Sequence, residues 1–312
     1  MFSVHLKGRD FLRVNDWAPD ELVTVLDLAD RLKARTKNRV EDHHLAGRTL
    51  GMIFSKPSTR TRVSFEVGIS QLGGTGLYLS ANDLQLGRGE TIRDTAAVLS
   101  RYLDGIMIRT FRQGDVDELA EHAEIPVING LTDDFHPCQA LADVMTIRER
   151  FGSLEGVRVA YLGDGNNVCH SLMVACAKLG MDFVAATPDG YEPSEEVVGW
   201  GREAAGASGG SVELLHDPEA AASGADVLYT DVWTSMGQDE ERERRLRDLA
   251  AFQVGPDAVS RASDRAVVMH CLPAHYGEEV TEDVLHGPRS AAWDQAENRL
   301  HAQKALMALV IR

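Results

Sequence analysis

Three hydroxyls and two arginines alternate in Ser58-Thr59-Arg60-Thr61-Arg62, between an apolar run and a helical stretch. A helix beginning there presents unpaired backbone N–H groups and the positive end of its dipole, which suits a phosphate. Hydroxyls at Ser58, Thr59 and Thr61 add short hydrogen bonds, and Arg60 offers a planar fork for a bidentate grip on an oxyanion. Ser58 could equally be a helix N-cap. Capping alone leaves the interleaved arginines unexplained, so the pattern favours anion binding.

Two tetrads begin with histidine: His136-Pro137-Cys138-Gln139 and His270-Cys271-Leu272-Pro273. Each lies beyond the carboxyl end of an expected strand, where open α/β sheets place ligands. Imidazole and carboxamide groups can bond a carbonyl oxygen and an adjacent amine, and a thiol can assist proton movement or act as a nucleophile. Either tetrad alone also fits a turn histidine beside a small buried cysteine. Asp231 ends another expected strand, where it could receive a substrate ammonium or cap the charged helix that follows. Gly163-Asp164-Gly165-Asn166-Asn167-Val168 is half of a dinucleotide fingerprint. It lacks the third glycine and the acidic residue for ribose, and its asparagines suit polar ligand contacts or an Asx turn.

These residues need elements to hold them. Short β-rich runs alternate with helical stretches, the signature of parallel α/β units. Strands are expected at residues 49–54, 77–79, 105–109 and 126–130. The intervening helices are expected at 59–72, 91–103, 116–123 and 139–151. The pattern restarts with strands at 157–162, 183–186, 212–215, 227–230 and 266–269, and with helices at 167–179, 194–205, 240–250 and 296–311. A boundary is expected near residues 147–153.

Composition removes several function classes. The 312 residues carry 32 Lys+Arg against 48 Asp+Glu, a net charge of −16, which opposes nucleic acid and anionic lipid. Anionic small ligands then require a locally basic pocket. No apolar run approaches the roughly 18 residues of a membrane span, and the N-terminus lacks a signal-peptide layout. The 4 cysteines form no C-x-x-C and no disulfide framework, which points to a reducing, cytoplasmic setting. The histidines show no metal-ligand spacing, so no metal is expected. A Walker A motif is absent, and Gly206-Ala207-Ser208-Gly209-Gly210 is read as a loop. An NAD-dependent dehydrogenase would leave residues 58–62 idle, and a non-catalytic phosphate sensor would leave Cys271 idle.

Taken in order, residues 58–62, 136–139 and 270–273 resemble the motifs of the aspartate/ornithine carbamoyltransferase family, and Asp231 with Ser235-Met236-Gly237 is similar to its ornithine-specific members. Residues 83–90 and Glu297-Asn298-Arg299 are similar as well. The resemblance implies an α/β chain of two doubly wound parallel-sheet domains, with the C-terminal helix crossing back to the first. Residues 1–147 and 294–312 would bind carbamoyl phosphate, and residues 148–293 would bind L-ornithine. The implied reaction moves the carbamoyl group to the δ-amine, giving L-citrulline and phosphate, in arginine biosynthesis in preference to arginine degradation. Putrescine or N-acetylornithine is the alternative acceptor.

The same resemblance assigns roles. Ser58, Thr59, Arg60 and Thr61 would bind the phosphate, with Gln85 reaching the phosphate of a neighbouring subunit. Arg109, His136 and Gln139 would hold the carbamoyl group, completed by Cys271, Leu272 and Arg299. Asn167, Asp231, Ser235 and Met236 would bind ornithine. Catalysis would rest on Arg60, Arg109, His136, Asp231 and Cys271. No cofactor is implied, because carbamoyl phosphate is already activated. Members of the family imply a homotrimer, or a multiple of trimers, with sites shared between subunits and no nucleic-acid or membrane partner.

Overall fold

Apolar runs bounded by turns become the strands, and the ends of those strands set the positions of the polar motifs. The computed structural model describes residues 6–82, 84, 89–234 and 241–312, which leaves Gln85, Ser235 and Met236 outside the described residues. In one compact unit, Met1–Ala142 with Asn298–Arg312, β1 (Thr49–Phe54), β2 (Thr75–Ser80), β3 (Gly105–Arg109) and β4 (Val127–Leu131) pair in parallel in the order β2-β1-β3-β4. Its helices are α1 (Pro19–Lys37), α2 (Thr59–Gln71), α3 (Ile92–Leu99), α4 (Gln113–His122) and the start of α5 (Pro137–Phe151). Five of the six β1 residues are buried. That burial is why β1 reads as a continuous apolar run and not as an alternating one. Ile53, Ile106, Ile108, Val116, Leu119 and Val127 form a core in this unit.

The other unit, Asp143–Glu297, pairs β5 (Arg158–Leu162), β6 (Asp182–Ala186), β7 (Ser211–Leu215), β8 (Val227–Thr230) and β9 (Val267–His270), all parallel, in the order β7-β6-β5-β8-β9. Its helices are α6 (Asn167–Lys178), α7 (Glu195–Ser208), α8 (Pro218–Ala222), α9 (Arg242–Leu249), α10 (Pro256–Arg261) and α11 (Glu282–Leu285). The last helix, α12 (Ala292–Val310), begins among the residues of this unit and ends among those of the other. No helix among the described residues is long and apolar enough to cross a membrane.

Several elements depart from the sequence expectation. The strand expected at 77–79 is a six-residue strand, β2, because its polar ends still pair with β1 from Thr49 to Phe54. The helix expected at 91–103 stops at Leu99, since Tyr102 and Leu103 fold into a turn through N–H bonds to the Leu99 carbonyl. Helix α4 starts at Gln113, three residues early, because its first turn is polar and carries no apolar signal. Helix α12 starts at Ala292 and not at residue 296. Helix α1 is an addition to the expected elements. Its signals are a proline in the first turn, Glu21 accepting from the Ala18 N–H at 2.8 Å, and buried Leu22, Val25, Leu26, Ala29 and Leu32.

Candidate active site

In the first unit the chain runs from β1 to β2 on one side and to β3 and β4 on the other. The carboxyl ends of β1 and β3 therefore flank the point where strand order reverses, and doubly wound sheets open a crevice there. Phe54 and Arg109 are register partners at those ends. From β1 the chain turns into α2, whose N-cap is Ser58, with Oγ accepting from the Thr61 N–H at 3.2 Å. A hydroxyl that accepts at a cap keeps its own O–H to donate, so capping and anion binding coexist at Ser58.

Buried Thr61 is the centre of this cluster. Its Oγ1 accepts from Arg109 Nη1 at 3.4 Å and from Arg299 Nη2 at 3.3 Å. Arg299 Nη1 donates to Gln139 Oε1 at 2.7 Å. Arg299 comes from α12, which lies against α2 at Gly68. A Cβ there would meet Met307 Cε at 3.0 Å and Lys304 Cγ at 3.3 Å. The missing side chain lets the two helices approach closely enough to share Thr61.

His136 is buried at the start of α5. Burial, then the charges of Arg299, Arg109 and Arg60, push its imidazole well below the ordinary value of 6.5. The ring is therefore neutral at pH 7 and can hydrogen-bond a carbonyl oxygen without carrying charge itself. Three guanidinium groups bearing on one neutral ring make a field suited to a phosphate dianion. Arg62 does not join them. It reaches Glu66 at 3.4 Å and lies 3.9 Å over the Tyr78 ring on the surface. Thr59 is exposed beside Arg60 at the start of α2.

Cys138 is not part of the chemistry left open for it by the sequence. Its thiol donates to the Asn129 carbonyl at 3.3 Å, and burial pushes it up to about 12. Such a thiol is a small core group and not a proton shuttle.

In the second unit the order reverses between β5 and β8, so the turn after Leu162 and the residue after Thr230 lie side by side. Asn166 caps α6, its Oδ1 accepting from the Val168 and Cys169 N–H groups at 2.9 and 3.1 Å. Its Nδ2 donates to Asp231 Oδ2 at 2.8 Å. The Cys271 thiol donates to Asp231 Oδ1 at 2.8 Å. Asp231 therefore does not cap α9, whose N-cap is Glu241. Asn167 is half-buried at the first position of α6, one residue from the asparagine that touches Asp231.

The turn carrying Gly165 serves structure. A Cβ at Gly165 would lie 2.3 Å from the Pro193 nitrogen, so only glycine fits. This close approach explains the half fingerprint without a dinucleotide. Asp164 in the same turn pairs with Arg245, which also bonds the Trp233 carbonyl. Burial nonetheless pushes the Asp164 carboxyl up to about 6.

Leu272 follows Cys271 with φ of +60°, a left-handed conformation costly for a branched residue. Its N–H donates to His270 Nδ1 at 2.8 Å, and His270 Nε2 lies 3.1 Å from Glu279 Oε1. His270 and Glu279 are both fully buried and hold the turn from behind. No sequence signal marks them as a pair, because they are joined only through the turn. Asp231, His270 and Cys271 bring one ligand-type atom each within 4.8 Å. Both His270 nitrogens are committed to Leu272 and Glu279, and the Cys271 thiol to Asp231, so the trio is not a three-ligand metal cradle.

Known proteins match both units. Residues 9–149 match the carbamoyl-P binding domain of aspartate/ornithine carbamoyltransferases, and residues 155–310 match the Asp/Orn binding domain. An ornithine carbamoyltransferase of Pyrococcus horikoshii is 58% identical over 308 residues, 99% of this chain and 97% of that protein. An anabolic ornithine carbamoyltransferase of Pyrococcus furiosus is likewise 58% identical, covering 99% of this chain and 98% of its own length. The solved ornithine carbamoyltransferase of P. furiosus superposes with a TM-score of 0.97, covering 99% of this chain and 98% of that one at 58% identity. That of Gloeobacter violaceus gives 0.89 at 48% identity, covering 99% and 100%. The chain belongs to the aspartate/ornithine carbamoyltransferase family.

Proposed function

We propose that this chain transfers the carbamoyl group of carbamoyl phosphate to the δ-amine of L-ornithine, giving L-citrulline and phosphate in arginine biosynthesis. The observation that carries the reading is Thr61, joined to both Arg109 and Arg299 around a neutral His136. That cluster suits an activated acyl phosphate: guanidinium groups for the phosphate and a neutral N–H for the carbonyl oxygen. Full-length relatives that carry the activity by name support the choice of ornithine, and one of them is anabolic.

The reaction follows from these groups. Ornithine arrives as an ammonium with a free pKa of about 10.4 and must lose a proton before it can attack. Asp231, held by Asn166 and Cys271, accepts hydrogen bonds from that ammonium and orients it, and its proton leaves to solvent by way of the Asp231 carboxylate, with Cys271 assisting through its bond to the same carboxylate. The neutral amine forms a C–N bond to the carbamoyl carbon. The oxyanion of the tetrahedral intermediate is stabilised by Arg109 and His136. The carbon–oxygen bond to phosphate then breaks as the extra proton on the attacking nitrogen passes to the departing phosphate, which Arg60, Thr61 and the N-terminal N–H groups of α2 hold. Gln139 and Arg299 fix the carbamoyl site, and the Leu272 backbone closes the amine side. Ser58 and Thr59 add donors to the phosphate, and Asn167, Ser235 and Met236 complete ornithine binding.

The same reading includes a homotrimer, or a multiple of trimers, in which Gln85 of one subunit reaches carbamoyl phosphate bound by its neighbour. Exposed Val63, Val67, Leu77, Tyr78, Val98 and Tyr102 on α2, β2, α3 and the turn after α3 support an oligomer. A cytoplasmic location accords with four free cysteines, three of them buried. The test is stoichiometric: one citrulline formed for each phosphate released from carbamoyl phosphate in the presence of ornithine. Phosphate release without citrulline would refute the transfer.

A further inference from the structure

Away from the residues above, the ends of α1 and α2 and the middle of α12 line an open cavity of about 410 Å³. Lys304 lines it and is 2% exposed. Its Nζ donates to Thr36 Oγ1 at 2.8 Å and to Gln71 Oε1 at 2.9 Å, and it forms no ion pair with any described residue. An ammonium has three donors, so one remains for the cavity. Both of its hydrogen-bond acceptors are neutral, and burying an ammonium is costly where a methionine would pack freely. Buried Asp42 also lines the cavity and acts on Lys304 through its charge, but its carboxylate is paired with Arg35, another lining residue, at 3.1 Å and with His44.

Arg39 adds a second cation on the same lining. It sits just past the end of α1 with φ of +55°, at a position where glycine or asparagine is the usual choice. Its guanidinium has no side-chain partner among the described residues. Glu41 also lines the cavity, but it is 88% exposed beside His43 and screened by water.

We propose that this cavity is a second anion site, taking a small ligand with a carboxylate or phosphate group. Lys304 supplies the buried charge, Arg39 the outer charge, and Gln71 and Ser70 polar contacts on the wall. Lys304 is five residues beyond Arg299 on α12, roughly 7.5 Å along the axis, so the ligand is not the carbamoyl phosphate of the catalytic cluster.

Calorimetric titration of the full chain tests this, with inorganic phosphate and citrate as separate probes. The Arg60→Gly protein is used so that the catalytic cluster contributes little anion binding. One saturable site per chain is expected for at least one probe, and which probe binds identifies the ligand as phosphate-bearing or carboxylate-bearing. Adding Lys304→Met should weaken that binding about tenfold or more, since a hydrogen bond to a charged group is lost. Adding Arg39→Asn, which keeps a left-handed backbone residue at the helix end, should also weaken it and decides the matter if Lys304→Met does not fold. Absence of binding by both probes, or binding unchanged by the Arg39 and Lys304 substitutions, overturns the proposal.

Discussion

The Cys271 thiol donates to Asp231 Oδ1 at 2.8 Å, while the other oxygen of the same carboxylate accepts from Asn166 at 2.8 Å. Two donors from two strand ends fix the plane of one carboxylate. An amine approaching it then has a defined direction of approach, which is what an attack on a carbonyl carbon requires.

Replacing Cys271 by alanine removes one of those donors. We expect kcat/KM for ornithine to fall by about 10-fold to 100-fold, the worth of one hydrogen bond to a charged group. Binding of carbamoyl phosphate should stay largely intact. Steady-state kinetics with each substrate varied in turn checks both statements, and unchanged ornithine kinetics would remove Cys271 from the reaction.

Arg60 bears on His136 together with Arg109 and Arg299. Arg60→Gly should lower kcat by about 10²-fold to 10³-fold, the range for losing a donor aimed at developing charge. Turnover close to that of the parent would remove the role assigned to it.

His136 links the same cluster to stability. Burial, then Arg299, Arg109 and Arg60, hold its folded value well below 6.5. The unfolded chain protonates this histidine near pH 6.5. Between the two values the unfolded state binds the extra proton, so stability rises with pH across that window. The contribution is fully present above about pH 6.5 and is lost as pH falls toward the folded value. Thermal melts of the parent should therefore show a midpoint falling from pH 7 to pH 5. His136→Asn should show a shallower fall over that interval, and an equal slope in both proteins would rule out His136 as the cause.

Gln85 lies outside the described residues, so its role is open to a functional test. Inactive Gln85→Ala and inactive Arg60→Gly proteins, mixed under subunit exchange, should regain part of the activity. No recovery in verified mixed oligomers would place each site within one chain.

Much of the fold is legible in the sequence, for physical reasons that can be named. Strands β1, β3 and β8 match their expected limits because buried parallel strands are short, continuous apolar runs ended by polar residues. The residues at the ends of those strands, Arg109 and Asp231, are therefore placed by the sequence as well. What sequence cannot supply is pairing at long separation. Asn166 and Asp231 are 65 residues apart, Gln139 and Arg299 are 160 apart, and each pair meets only after the units fold. The resemblance points to Asn167 as an ornithine ligand, and the structure adds its neighbour Asn166, which holds the Asp231 carboxylate. Helix α1 is legible in its apolar spacing and its first-turn proline.

The central claim is transfer to the δ-amine of ornithine, and one comparison tests it most directly. Citrulline-type product formation from carbamoyl phosphate is measured side by side with ornithine, aspartate, N-acetylornithine and putrescine at equal enzyme. The account predicts the highest kcat/KM for ornithine by a wide margin. A higher value for any of the other three amines would contradict it.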